Sequence, residues 1–256
     1  MAGNDELLAI LKKLRLSGVL QTLDLRADEA VEHHLTHSEF LARVLRDEVD
    51  RRDGKQLDLR VRRATPHRTR GEHERTLEGF DFRFNADLPR ARIVDLASCA
   101  FIDKREDVIF VGPTGTGKSH LAQALGHRAC RLGRSVLFVS AQELFGSLHA
   151  ARGDGTFDRK LQRLVDLDLL IIDDLGLRPL RGEEPYDLHE LVRGRHERRS
   201  TVLTSNRAIP EWQPLFPEPL LAAATMDRLL QHAHVVELVG QSYRNPRTAR
   251  AGSPAT

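Results

Sequence analysis

Apolar and polar positions follow two different rhythms along the chain, and the change falls near residue 108. Before it, apolar residues recur at helical spacing. Leu7, Leu11 and Leu14 stand at i, i+4 and i+7, Gly18 follows at i+11, and Leu20 and Leu23 extend the set. Gly18 is expected to end or interrupt this first helix. A second amphipathic pattern starts after Ser38, a residue type suited to an N-cap. It places Phe40, Leu41, Val44, Leu45 and Val49 on one face, and Arg43, Arg46, Asp47, Asp50 and Arg51 on the other. Pro66 and Gly71 then break the pattern and predict a linker at about 64–78.

From residue 108 short apolar runs appear at 108–111, 136–139, 169–172 and 201–204, with a last one at 235–238. They do not alternate with polar residues, as strands buried on both faces do not, and stretches of helical length separate them. Strand–helix alternation predicts an α/β fold with a parallel central sheet, preceded by a small all-helical N-terminal domain. The expected domains are 1–75 (helical, for DNA or a partner), 76–245 (the catalytic core) and 246–256, a tail without periodicity that reads as disordered. There is no internal repeat.

Composition narrows the classes. At 256 residues, the chain fits one core domain plus a smaller appendage. Two cysteines exclude a disulfide-stapled secreted module. Apolar runs of four or five residues exclude a membrane span, and acids near the N-terminus with Lys12 and Lys13 exclude a secretory signal, which implies a cytoplasmic protein. The net charge of +2 says little, but residues 51–75 hold nine bases against four acids. Such a local field attracts polyanions. Arg193, Arg195, Arg198 and Arg199 form a second basic cluster, facing either phosphates or solvent. Aromatic residues are only 5%, which suits contact with a duplex backbone better than stacking on single-stranded bases.

The chemistry concentrates in three places. Gly112, Pro113, Thr114, Gly115, Thr116, Gly117, Lys118 and Ser119 fit G-x-x-x-x-G-K-[ST], after a predicted strand and before the helix-forming run 121–125, to whose helix His120 belongs. Small residues let backbone N–H groups wrap phosphate oxygens, Lys118 supplies a charge for the β- and γ-phosphates, and Ser119 offers a hydroxyl to Mg²⁺. The run 169–172 ends in Asp173 and Asp174, at the strand edge where α/β folds bind ligands. Asp173 suits Mg²⁺ coordination, through a water, and Asp174 suits orienting or deprotonating an attacking water. The run 201–204 ends in Ser205 and Asn206, and Asn206 could reach the γ-phosphate or that water. No segment reads a guanine base, so ATP is the expected nucleotide. Arg228 and Arg244 are candidates for stabilising charge on a transferring phosphoryl group, though spacing alone selects neither.

Taken together, 112–119, 170–176, 203–207, Glu211-Trp212, 227–229 and 242–244 resemble the IstB-type helper ATPases of bacterial transposons, relatives of the DnaC helicase loaders in the AAA+ superfamily. The lead-in at 76–82 is also similar, and the likeness covers about 38–245. The resemblance implies a P-loop AAA+ core that binds ATP on 112–119 with Ser119 and Asp173 on Mg²⁺. It further implies Asn206 as the residue that positions water, Arg228 as an arginine finger reaching a neighbouring subunit's site, and Arg244 as a nucleotide-sensing arginine. It implies DNA-stimulated hydrolysis, self-assembly into a homo-oligomer on duplex DNA with sites at subunit interfaces, and a cognate transposase as partner. A DnaC-like loader in DNA replication shares the core chemistry and is the alternative. The pattern departs from the family at Thr65-Pro66-His67, which interrupts a basic helical stretch, and at Pro185, expected in a helix's first turn. Twelve residues after Arg244 are too few for a helical lid.

Other groups carry less. His33, His34 and His37 have metal-like spacing but read as a polar loop, Cys99 and Cys130 as small buried residues, and Trp212 as a packing anchor. A small-molecule kinase would need lid arginines, for which Arg178, Arg181 and Arg193 are the candidates.

Overall fold

The computed structural model describes residues 2–65, 75–85 and 88–243. Most of the predicted linker, Arg244 and the predicted tail lie outside the described residues. Contacts divide the chain into two compact units, Met1–Leu59 and Arg60–Thr256.

The first unit contains α1 (Ala2–Lys13), α2 (Ser17–Glu32) and most of α3 (His37–Ala64). Leu11, Val19 and Val44 are its buried centre, with Leu16, Leu20, Leu23 and Phe40 packed around them. Gly18 does not end the first helix. It lies in the first turn of α2, where its N–H donates to Glu48 Oε2 at 2.5 Å. An added Cβ would stand 2.8 Å from the Glu48 backbone, so the glycine permits the two helices to touch. Nor is Ser38 the cap of α3. Thr36 is: Glu39 N–H donates to the Thr36 hydroxyl, and the Glu39 carboxylate accepts from Thr36 N–H and Oγ1 at 2.8 Å each, a capping box two residues upstream of the expected cap. Of the predicted apolar face, Val44 is buried while Leu41, Leu45 and Val49 stay exposed.

The second unit holds one parallel sheet. Its elements are α4 (Arg90–Leu96), α5 (Ala100–Lys104), β1 (Asp107–Val111), α6 (Lys118–Arg131), β2 (Val136–Ser140), α7 (Ala141–Gly153), α8 (Phe157–Asp166), β3 (Leu169–Asp173), α9 (Glu184–Arg195), β4 (Ser200–Ser205), α10 (Pro219–Leu230) and β5 (Ala233–Glu237). The strand order is β2-β3-β4-β1-β5, and every pairing is parallel. The unbroken apolar runs form these strands as predicted, and β3 is buried at all its positions because helices cover both faces of the sheet. Parallel neighbours need crossovers, which the helices supply. The helices α4 and α5, short and without a periodic pattern, are not anticipated by the sequence. Pro185 occupies the first turn of α9, as expected.

Arg195 departs from the surface cluster in which the sequence places it. It is 2% exposed, and its guanidinium donates to the carbonyls of Leu164, Val165, Leu167 and Ser200 and to the Thr201 hydroxyl. It closes the end of α8 onto the start of β4. Arg193 pairs with Glu190 and Arg199 with Asp168. Trp212 is buried, its Nε1–H donating to the Arg207 carbonyl at 3.3 Å. Cys99 and Cys130 are buried free thiols, pushed up to about 11 by burial. His33, His34 and His37 are exposed. Among the described residues no helix is long and apolar enough to cross a membrane.

Candidate active site

The chain leaves β1 at Val111, at the carboxyl edge of the sheet, and turns through Gly112–Gly117 into α6. Gly112 has φ 137°, and a Cβ there would run into the Leu238 carbonyl, which follows β5. Gly117 has φ 99°, caps α6, and faces the Phe80 ring at a distance that leaves no room for a side chain. These conformations favour glycine. Lys118 is buried, and its Nζ donates to the carbonyls of Gly112 and Pro113 at 2.7 Å each. The Thr116 hydroxyl donates to the Pro113 carbonyl at 2.9 Å. The loop is thereby gathered around its own lysine at the positive end of a helix, a setting that favours anions.

The acid pair meets this loop through strand register. Ile172 of β3 lies beside Leu203 of β4, so the next residues, Asp173 and Thr204, come together. The Thr204 hydroxyl donates to Asp173 Oδ1 at 2.5 Å and accepts from the Asp174 N–H at 2.9 Å. The Ser119 hydroxyl, at the start of α6, also acts on the Asp173 carboxyl. Burial raises the Asp173 carboxyl above its usual range, against the opposing pull of the Thr204 and Ser119 hydroxyls. Asp174 takes a left-handed conformation, φ 58°, which turns the chain at the strand end. A hydroxyl and a carboxylate side by side are hard oxygen donors, the chemistry Mg²⁺ prefers, and a dication would offset the burial of the Asp173 charge.

Between these parts lies a cleft of about 490 Å³, lined by 114–120, Asp174 and Asn206 on one side. Phe80, Phe84, Asn85 and Tyr243 line the other. The volume suits a small-molecule ligand. His120 Nε2 lies 2.9 Å from the Thr76 carbonyl, and its ring meets Phe80 edge-on, with centroids 5.2 Å apart. Phe84 meets Tyr243 in the same way at 4.8 Å. The Asn85 side chain bonds Gln241 in both directions, donating to its carbonyl at 3.3 Å and accepting from its N–H at 3.1 Å. Tyr243 N–H donates to the Gly115 carbonyl at 2.9 Å. The segments before β1 and after β5 thus clasp each other and the loop.

A family model described as IstB-like ATP binding protein matches residues 9–251. The chain belongs to this family. Among the relatives of this IstB-like chain, a Sinorhizobium fredii protein named as an insertion sequence ATP-binding protein is 39% identical, over 94% of this chain and 95% of its own. The Pseudomonas aeruginosa protein of insertion sequence IS21 is 34% identical, over 96% and 91%. A Mycobacterium tuberculosis relative is 37% identical, over 91% and 92%. Among solved structures, the replication initiator DnaA bound to AMPPCP and single-stranded DNA has a TM-score of 0.55 at 21% identity, covering 66% of this chain and 51% of that one. DnaI has 0.53 at 23%, covering 65% and 89%. These likenesses show the fold alone, an α/β core shared with DnaA and DnaI.

Within the IstB-like core, the structure brings Lys118, Ser119, His120, Asp173, Asp174 and Asn206 together. Gly112 and Pro113 take part through the carbonyls that accept from Lys118. Arg228 is not among the residues lining the cleft. It lies near the end of α10, half-buried, with its guanidinium donating to the Ala224 carbonyl at 2.7 Å. Arg244 lies outside the described residues. Of the arginines a kinase lid would need, Arg178 is paired with Glu184 and Arg193 with Glu190. The sequence reading missed Thr204 as a site residue, and missed Phe84, Asn85 and Tyr243. The alternation Phe80, Phe82, Phe84 points to the aromatic wall, and Tyr243 stands in the 242–244 stretch that carries the resemblance.

Proposed function

We propose that this protein is an ATP-dependent, DNA-binding AAA+ ATPase that assists and regulates a transposase in DNA transposition. The observation that carries the reading is the meeting of Lys118, Ser119, Asp174 and Asn206 around one cleft, beside the Asp173 carboxylate that Thr204 holds. The names of its relatives, insertion sequence ATP-binding proteins, support the transposition role.

In this reading ATP occupies the cleft with its base against the Phe84 and Tyr243 wall and its phosphates on 112–119. Lys118 turns from the loop carbonyls to the phosphates. Ser119 and Asp173 would hold Mg²⁺, which supplies charge neutralisation of the phosphates when bound. Asp174 orients or deprotonates the attacking water, with Asn206 placing it. Arg228 serves a neighbouring subunit's site in a homo-oligomer, as the resemblance implies. Arg244 senses the nucleotide. The helical part at 1–75 meets duplex DNA and the cognate transposase, and hydrolysis switches the assembly rather than supplying a metabolic product.

Lys118→Ala tests the core of this. Titration with a fluorescent ATP analogue should show affinity reduced by at least about tenfold, because the charge facing the phosphates is lost. Unchanged affinity removes the assignment of the loop. Capture of a replicative helicase in place of a transposase by the purified protein would favour the helicase-loader role.

A further inference from the structure

The basic residues that the sequence disperses converge at the edge of the sheet opposite the nucleotide cleft. The last turn of α3 belongs to the second unit, where Val61 and Ala64 are buried and line a small cavity with Cys130, Val136 and Ile171. That anchoring fixes Arg60 and Arg63, one helical turn apart, toward a groove of about 650 Å³. Arg134 reaches the groove from the turn before β2, and Arg159, Lys160 and Arg163 from α8. Arg159 and Arg163 stand at i and i+4 on the polar face of that helix, while Phe157, Leu161, Leu164 and Val165 pack toward the core. Six bases line the groove, and none of its described lining residues is acidic or aromatic. Arg134 is shared with Asp103, an exposed ion pair that can exchange for a phosphate at little cost.

We infer that this groove is a track for the sugar-phosphate backbone of duplex DNA, read without regard to sequence. The inference rests on the DNA-binding reading above and gives it a surface. Charge complementarity carries it: five of the six bases are arginines, whose planar guanidinium matches phosphate with two parallel bonds. The groove is open, and Arg63, Arg159 and Arg163 are exposed, so they suit an extended polyanion rather than one enclosed small anion. With no ring among its described lining residues on which to stack bases, it suits a duplex rather than a single strand. It adjoins the start of β2, whereas the nucleotide cleft adjoins the end of β1, so the two anions do not compete for one set of cations.

The test compares wild type with Arg63→Gln/Arg159→Gln/Arg163→Gln on a 30-base-pair duplex of arbitrary sequence, by fluorescence anisotropy across a salt series with a slowly hydrolysed ATP analogue present. The triple variant should bind at least about tenfold more weakly, and its log–log salt slope should fall by about two to three, since each lost phosphate contact removes about 0.9. The loss should be the same for a second, unrelated sequence. The Lys variants at the same three positions should recover most of the affinity. ATP affinity and melting temperature should match wild type, which separates the effect from misfolding. Wild-type binding with an unchanged affinity and slope in the triple variant overturns the groove alone. Unchanged DNA binding with loss of transposase capture assigns the groove to an acidic protein partner and also overturns it. Failure of the wild type to bind duplex at all overturns the DNA-binding reading itself.

Discussion

Thr204 shows how much one hydroxyl can fix. It donates to the Asp173 carboxylate and accepts from the Asp174 N–H, so it orients one acid by its side chain and the other by its backbone. Replacing it by the isosteric valine keeps the packing and removes both bonds. A hydrogen bond to a charged group contributes about 1.5–3 kcal/mol, and Thr204→Val should lower unfolding stability by about that much in denaturant titration. If the acids act as proposed, turnover of ATP should fall roughly tenfold while ATP affinity stays within about threefold, because the loop and Lys118 are untouched. Equal losses in both would mean that the bridge serves the fold and not the acids. Nothing in the sequence marks this threonine, because its partners lie 31 and 30 positions away and meet it only through strand register.

The sheet is pinned at its amino edge by buried polar groups. Asp107, at the start of β1, accepts from the Thr201 N–H of β4 at 2.6 Å, and burial raises its carboxyl to about 7, Arg195 opposing the rise. The folded carboxyl therefore holds its proton more tightly than the unfolded chain does. Its contribution to stability is full below about pH 4, the unfolded value, and is lost as pH rises through 7. Asp107→Asn should shift the melting-temperature difference in the variant's favour between pH 4 and pH 8. A difference that stays flat would mean that Asp107 ionises as in water. Elements of this kind separate what the sequence makes legible from what it hides. The run 169–172 is readable because a strand covered on both faces has no polar position to interrupt it. Thr36 is hidden behind Ser38 because both can cap, and only the reach of Glu39 decides between them. Arg195 reads as surface in a run of arginines, yet the carbonyls left open at the end of α8 draw it inside. The loop at 112–119 is the most legible part of the site, since its spacing follows from phosphate geometry alone.

At the scale of the whole molecule, the proposal that Arg228 completes a neighbouring subunit's site can be tested directly. Arg228→Ala should retain ATP binding and lose DNA-stimulated hydrolysis. Mixing it with Asp174→Asn should restore activity in a coupled phosphate-release assay, because each variant would supply what the other lacks. No recovery at any mixing ratio would place the arginine's action within its own subunit. The clasp around the cleft carries a consequence for how the site comes into being. One jaw, 80–85, precedes the first strand and the other, 240–243, follows the last, with Asn85 and Gln241 as the latch. During synthesis the glycine-rich loop therefore emerges from the ribosome long before its second jaw exists. On the proposed reading, a nascent chain stalled ahead of β5 would carry the glycine-rich loop with nothing to shut against the base, so nucleotide capture would wait for residues 240–243.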